Sequence, residues 1–102
     1  MAKFQLRYSP LFYEDFEKII GYLLTELHNE QAARKLVDDV EAAIKTRLRD
    51  PLSTAPYQSI ASRPLPYRRI LVGNFLIFYV VAGNTMVVRR MLYGRQDLDK
   101  IL

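Results

Sequence analysis

Apolar and polar residues recur along this chain with two different periods, which separate strands from helices. Residues 3–8 alternate singly between apolar and polar, as in a strand with one polar face. Ser9 and Pro10 then supply an N-cap and a first helical residue, and apolar positions recur at helical spacing as far as Leu27. The pattern predicts a strand followed directly by an amphipathic helix.

A second helix is predicted for residues 30–49, which repeat the helical spacing after Asn29 as N-cap. The link between the two helices is so short that they should form an antiparallel hairpin. Pro51 ends the second helix, because the residue before a proline is pushed out of helical geometry. The proline-rich residues 51–66 show no regular period and are expected to form a surface connection.

Three strands are predicted for residues 67–72, 75–82 and 85–93, joined by two short Gly-Asn turns. The central strand is apolar throughout, as in a strand that is covered on both faces. A short amphipathic tail follows at residues 96–102. The predicted fold class is α+β, with a helix hairpin packed on a small antiparallel sheet in the order β-α-α-β-β-β. The position of the first strand in the sheet stays open.

Length and composition restrict the class of protein. The 102 residues, half of them hydrophobic, predict a single folded domain. No apolar run is long enough to span a membrane and the N-terminus lacks a secretory signal, so a cytoplasmic protein without a membrane partner is expected. With no cysteine and a single histidine, His28, the chain is expected to hold no metal and no cofactor.

The net charge of +4 is unevenly distributed. Residues 1–50 hold eight basic and nine acidic residues, a balance of −1, whereas residues 51–102 hold seven basic and two acidic residues, a balance of +5. A basic half on a small domain indicates an anionic partner, either a nucleic acid or an acidic polypeptide.

Arginine and tyrosine side chains concentrate at the end of the last strand. Arg89 and Arg90 lie in its middle, and Tyr93-Gly94-Arg95 follows. Because strand side chains alternate, the two adjacent guanidinium groups should point to opposite faces, and at most one can lie against the helices, provided that it is paired there. The other would be available to a partner.

Four segments together resemble a known family: LRYSPLFYEDFEKIIGYL, AARKLVDDVEAAI, PYRRILVGNFLIFYVV and RRMLYGRQDLDKIL. They are similar to toxins of bacterial type II toxin–antitoxin systems, the RelE/ParE superfamily, and within it the ParE-like or plasmid stabilisation branch. The chain departs from the family pattern at Tyr93, where the family often has histidine, and at Gln96, where it often has arginine. Residues 73–76, around the start of the central strand, also lack a basic residue, whereas the ribosome-dependent nucleases typically have an arginine on this strand and lysines before it.

The resemblance implies a toxin that is neutralised by a cognate antitoxin, whose acidic or amphipathic tail wraps the basic sheet and the helix hairpin. In one mechanism the toxin binds DNA gyrase without chemistry of its own. In another it acts as an mRNA interferase that enters the ribosome and cleaves mRNA. The absence of a central-strand arginine favours the mechanism in which the toxin binds gyrase. A third possibility is a partner-binding domain of the same fold that has lost toxicity.

If the chain is a nuclease, Tyr93, Arg90 and Arg95 are its candidate catalytic residues. Cleavage needs an acid, a base and cations around the phosphate, and a phenol with two guanidinium groups supplies the acid and the cations. Asp97 or Asp99 is the candidate base.

The alternative is structural. In that case the hydroxyl of Tyr93 lies in water at the sheet edge, and Arg90 pairs with a helix carboxylate such as Asp38 or Glu41.

A wider set of cations is predicted to contact the target or a nucleic acid. It consists of Arg68, Arg69, Arg89, Arg90, Arg95 and Lys100. For the first two, a solvated strand end is an equally good interpretation. The run of Lys45, Arg47 and Arg49 is predicted to be a solvated last helical turn, favoured by the helix dipole.

Overall fold

The computed structural model describes residues 3–56 and 65–94, which form two helices and four strands. The predicted α+β class and the order β-α-α-β-β-β are confirmed. The predicted tail at 96–102 lies outside the described residues. The elements are β1 (Gln5–Tyr8), α1 (Pro10–Thr25), α2 (Glu30–Leu48), β2 (Arg68–Val72), β3 (Phe75–Ala82) and β4 (Thr85–Tyr93). No helix in the described ranges is long and apolar enough to cross a membrane.

The helices begin where the sequence predicted. Ser9 precedes α1 in extended conformation with Pro10 at the first helical position, although its hydroxyl caps no helical N–H. Asn29 is the N-cap of α2, and its side chain accepts a hydrogen bond from the amide of Ala32 at 3.0 Å. Between the helices, His28 has a left-handed φ of 49°, which reverses the chain direction in a very short link.

The sheet has the strand order β1-β4-β3-β2. The strands β2, β3 and β4 form the predicted antiparallel meander. The first strand, whose place the sequence left open, pairs in parallel with β4. A parallel pair needs a long crossover connection, and the helix hairpin supplies part of it. Only the first four residues of β4, up to Val88, are paired with β1.

A bulge interrupts β4 at Arg89. Arg90 pairs with Phe78 and Val88 pairs with Tyr79, so one residue of β4 has no counterpart on β3. The strict alternation expected for the two adjacent arginines is therefore interrupted at this point. The side chain of Arg89 is exposed, while that of Arg90 is partly buried against α1.

The core lies between the helices and one face of the sheet. Phe12 of α1 and Val40 and Ile44 of α2 pack onto residues of β2, β3 and β4, several of them without any exposed surface. Burial of these apolar side chains is the main driving force for placing both helices on this face.

A polar network crosses this core at the end of α2. The buried hydroxyl of Tyr79 donates to the carbonyl oxygen of Pro51 at 2.7 Å. It also accepts from Nη1 of Arg47 at 3.0 Å, and that group additionally donates to the hydroxyl of Thr54 and the carbonyl oxygen of Arg69. The prediction that Arg47 belongs to a solvated turn was wrong, because its guanidinium joins α2 to the connection and to the edge strand β2.

Candidate functional site

The candidate site lies along the outer edge of β4, beyond the point where β1 ends. There the hydroxyl of Ser9 donates to the carbonyl oxygens of Val88 and Arg89, at 3.2 and 2.8 Å. Two residues further, the carboxylate of Asp15 accepts from the backbone amide of Met91 at 3.0 Å. The beginning of α1 thus takes over backbone groups of β4 that β1 leaves uncovered, which places α1 beside this edge.

Asp15 also forms an ion pair with Arg90. Nε of the arginine donates to Oδ2 at 2.7 Å, and Nη2 donates to Oδ1 at 3.1 Å, so that the pair is bidentate. The two side chains are only 12% and 19% exposed. The hydrogen bond from Arg90 to Asp15 raises the pKa of the guanidinium above its usual value. Both oxygens of the carboxylate are therefore occupied by donors of β4.

The structural alternative for Arg90, an ion pair with a helix carboxylate, agrees with this geometry, but the partner expected from the sequence was wrong. Asp38 and Glu41 belong to α2, whereas the residue that pairs with Arg90 is Asp15 of α1. The reason is topological. Both helices cover the same face of the sheet, but α1 packs along β4, whereas α2 packs on the edge strand β2.

Tyr93 lies at the far end of the same edge. It pairs across the sheet with Phe75, the two ring centroids are 5.7 Å apart, and the tyrosine is 37% exposed. Its ring forms a wall of a groove between α1 and the end of β4, which we call the α1–β4 groove. The opposite wall is formed by Lys18 and Ile19 near Arg90 and by Tyr22, Leu23 and Leu27 further along.

The α1–β4 groove consists of two adjoining cavities of about 550 and 530 Å³, which share Lys18, Ile19, Phe75 and Tyr93. The first cavity contains the Asp15–Arg90 ion pair, and the second is almost entirely apolar. The volumes of these cavities are in the range of ligand pockets, and their lining combines apolar side chains with a few polar groups.

The structure separates the other predicted cations. Arg68 and Arg69 lie on β2 opposite Tyr79 and Phe78 of β3, away from the strand end that carries Tyr93. Nη1 of Arg68 donates to the carbonyl oxygen of Thr54, which ties this side chain to the connection after α2. The side chains of Arg69 and Arg89 are exposed. Arg95 and Lys100 lie outside the described residues.

Two residues of the site were missed from the sequence. In the sequence, Asp15 is recognisable only as an acidic residue early in a helix, and Lys18 only as a polar residue between apolar ones. Neither signal distinguishes a solvated residue from one that faces a strand 75 positions away. Knowledge of the pairing between β1 and β4 was needed to identify both.

A smaller cavity of about 320 Å³ lies on the other side of α1. Tyr8 of β1 and Phe12 and Tyr13 of α1 form an aromatic cluster in it, with the ring centroid of Tyr8 at 5.3 and 5.6 Å from the other two. Burial raises the pKa of Tyr8, and the nearby Tyr13 and Glu41 raise it further. The exposed Lys45–Glu41 ion pair also lines this cavity, whose other lining residues include Phe12, Val40 and Ile44 of the core.

Among the described residues, the α1–β4 groove offers groups that suit the binding of a partner. A phenol, an ammonium group and a compensated carboxylate–guanidinium pair surround an apolar floor. His28, the single histidine of the chain, is not among the residues that line the groove. Within residues 3–56 and 65–94, no group of three potential metal ligands comes together.

Solved structures of similar fold belong to toxin–antitoxin systems. The chromosomal ParDE system from P. aeruginosa matches with a TM-score of 0.70 and 16% identity, over 91% of this chain and 98% of that chain. The RelB–RelE antitoxin–toxin complex from Methanococcus jannaschii matches with a TM-score of 0.54 and 19% identity, over 94% and 99%. The E. coli DinJ–YafQ toxin–antitoxin complex matches with a TM-score of 0.57 and 13% identity, over 89% and 92%.

A comparison with curated protein sequences finds no significant match. The family model described as the ParE toxin of the type II toxin–antitoxin system parDE matches residues 6–98. This range includes both helices, the strands β2, β3 and β4, all of β1 except its first residue, and the α1–β4 groove. The match thus covers nearly the whole chain, and the protein belongs to the ParE toxin family of type II toxin–antitoxin systems.

Proposed function

We propose that this ParE-family toxin inhibits growth by binding DNA gyrase, without chemistry of its own, and that a cognate antitoxin neutralises it. The membership of the ParE family supports gyrase as the target, because the resemblance to this branch implies a gyrase inhibitor. The solved relatives that contain an antitoxin support the antitoxin as partner.

The observation that carries the proposal is the ion pair between Asp15 and Arg90. Metal-independent RNA cleavage needs cations that can neutralise the developing charge on phosphate, and a base that can take a proton. Here the guanidinium of Arg90 is already compensated through two hydrogen bonds, and the carboxylate of Asp15 accepts three. To use either group for catalysis, the protein would have to break a contact that also anchors α1 to β4.

The exposed arginines support a role in binding. Arg69 and Arg89 are exposed on the half of the chain that carries the charge of +5. Charges in this setting accelerate association with an acidic surface and determine its orientation, without any requirement for proton transfer.

The experiment is a gyrase supercoiling reaction and an mRNA primer-extension assay with and without ribosomes, both with one toxin preparation. We expect blocked supercoiling and intact mRNA. About tenfold more of the variant Arg89→Glu should be needed for half-inhibition of gyrase, since its carboxylate then faces an acidic surface of the target. Arg34→Glu, the same charge change on α2, is the matched control and should inhibit like the unaltered toxin.

Ribosome-dependent, codon-phased cuts with normal supercoiling would overturn the proposal and make the protein an mRNA interferase. Unimpaired supercoiling and intact mRNA would instead favour a partner-binding domain that has lost toxicity.

A further inference from the structure

Two arginines from different elements meet at one residue of the connection that follows α2. Nη1 of Arg47, on α2, donates to the hydroxyl of Thr54 at 3.1 Å, and Nη1 of Arg68, on β2, donates to the carbonyl oxygen of the same threonine. All three residues are partly buried. We call this cluster the Thr54 site. It lies beside the edge strand β2, and none of its residues lines the α1–β4 groove.

The two guanidinium groups of the Thr54 site carry charge that no carboxylate of the described residues neutralises. The ion pairs within residues 3–56 and 65–94 join other residues, and the acceptors of Arg47 and Arg68 are uncharged carbonyl and hydroxyl oxygens. Two like charges held at one partly buried residue repel each other, whereas an anion beside both would attract them. The Thr54 site is therefore electrostatically suited to an anion.

The hydrogen-bond donors of the two arginines are unevenly used. Nη1 of Arg47 has three acceptors, because it also donates to the hydroxyl of Tyr79 and the carbonyl oxygen of Arg69, both at 3.0 Å. Its Nε and Nη2 have no acceptor in the part of the chain that the structure describes, and the same holds for Nε and Nη2 of Arg68. Partly buried donors normally have a partner, so these groups suit a ligand with several acceptor oxygens.

The hydroxyl of Thr54 adds an uncharged donor. The single hydrogen of the Tyr79 hydroxyl is donated to the carbonyl oxygen of Pro51 at 2.7 Å, so in the 3.4 Å contact between the two hydroxyls only Thr54 can donate. A contact of that length is weak, and the hydrogen of Thr54 can turn to a better acceptor. A hydroxyl beside two guanidinium groups is a combination that proteins use to bind phosphate.

We propose that the Thr54 site binds the phosphate group of a small anion, with Arg47 and Arg68 as charged donors and the hydroxyl of Thr54 as an uncharged donor. The site is separate from the proposed inhibition of gyrase and does not depend on it. A bound phosphate would join α2, the connection and β2, and Arg47 already ties the carbonyl oxygen of Arg69 to this network. Occupancy should therefore stabilise this edge of the sheet.

The test is an NMR titration of the isotope-labelled full chain with sodium phosphate, and with sodium chloride at matched ionic strength. We expect phosphate alone to shift the backbone amide of Thr54 and the Nε–H signals of Arg47 and Arg68, and to do so saturably. The Kd should be on the order of 1–10 mM, which about two charge-assisted hydrogen bonds supply. Adenosine monophosphate is titrated in parallel. An equal Kd identifies phosphate itself as the ligand, and a lower Kd identifies a nucleotide.

Two variants and a matched control test the assignment of residues. Arg68→Gln should raise the Kd for phosphate about tenfold, because it removes one of the two charges. Thr54→Val removes the hydroxyl, keeps the shape of the side chain and should raise the Kd about threefold. Arg7→Gln makes the same charge change at an exposed position of β1, the opposite edge strand, and should leave the Kd unchanged. The dispersion of the NMR signals establishes that each variant is folded.

Three outcomes would overturn the inference. The first is a phosphate titration whose shifts do not saturate or spread evenly over exposed basic residues, and it can be recognised in the unaltered chain even if a variant does not fold. The second is an equal Kd in Arg68→Gln and Arg7→Gln. The third is a response of the Thr54 site to duplex DNA but to neither small ligand, since the contact would then belong to a nucleic acid. Gyrase inhibition enters none of these measurements, so the two proposals fail separately.

Discussion

Asp15 and Arg90 are 75 positions apart in the chain and form a bidentate ion pair that joins the first helix to the last strand. The same carboxylate accepts a hydrogen bond from the backbone amide of Met91, so one side chain is the acceptor for both a backbone donor at the strand edge and a guanidinium. This contact decides how the charges at the candidate site can be used, and it is also open to direct measurement.

Replacement of Asp15 by alanine should lower the free energy of unfolding by about 2–3 kcal/mol, because it leaves a largely buried guanidinium and a strand amide without their acceptor. Urea unfolding measures the change. Asp39→Ala, which removes the exposed partner of Lys35, should cost less than about 0.5 kcal/mol. Equal losses in the two variants would show that the Asp15–Arg90 pair is no stronger than a surface ion pair.

Tyr79→Phe should destabilise the protein by about 1–2 kcal/mol, since the carbonyl oxygen of Pro51 loses its buried donor and Arg47 loses an acceptor. The slope of unfolding against urea should not change, because the ring still fills the core. Tyr22→Phe is the control, as the side chain of Tyr22 is more than half exposed. If both variants unfold at the same urea concentration, the network at the end of α2 contributes nothing to stability.

Stability should decrease above pH 10.0 in part because of Tyr8. Burial holds the pKa of Tyr8 above the usual 10.0, with further contributions from Tyr13 and Glu41. Below that pH the phenol is neutral in both states, whereas at higher pH the unfolded chain loses this proton first and the free energy of unfolding falls. In Tyr8→Phe this part of the loss should disappear, as seen by urea unfolding on both sides of pH 10.0. An identical loss in Tyr8→Phe and the unaltered protein would contradict the assignment.

Tyr93→Phe separates binding from catalysis at the candidate site. The substitution keeps the ring that contacts Phe75 and removes the hydroxyl. A gyrase inhibitor should keep its full effect on supercoiling, because binding requires no proton transfer from the hydroxyl. A nuclease that uses Tyr93 as general acid would lose a factor of about 10²–10⁴ in mRNA cleavage. Toxicity in cells and the two assays in vitro should therefore agree; a loss of supercoiling inhibition would refute a purely apolar role for Tyr93.

Local sequence patterns determined the elements of this protein. Alternation, helical spacing, the caps at Ser9 and Asn29 and the Gly-Asn turns depend on neighbouring residues, and the predicted order of strands and helices follows from them. The family resemblance was equally available, since it rests on residue types at fixed spacing, and the match over residues 6–98 confirms it.

Tertiary structure alone decided how these elements meet. The parallel pairing of β1 with β4 places α1 beside the uncovered edge of β4 and brings Asp15 to Arg90. The bulge at Arg89 determines which of the two adjacent arginines is exposed. Arg47 is partly buried because the hydroxyl of Tyr79 and the carbonyl oxygen of Arg69 on β2 accept its hydrogen bonds. Each of these contacts joins residues far apart in the chain, and no local period encodes a partner at such a distance.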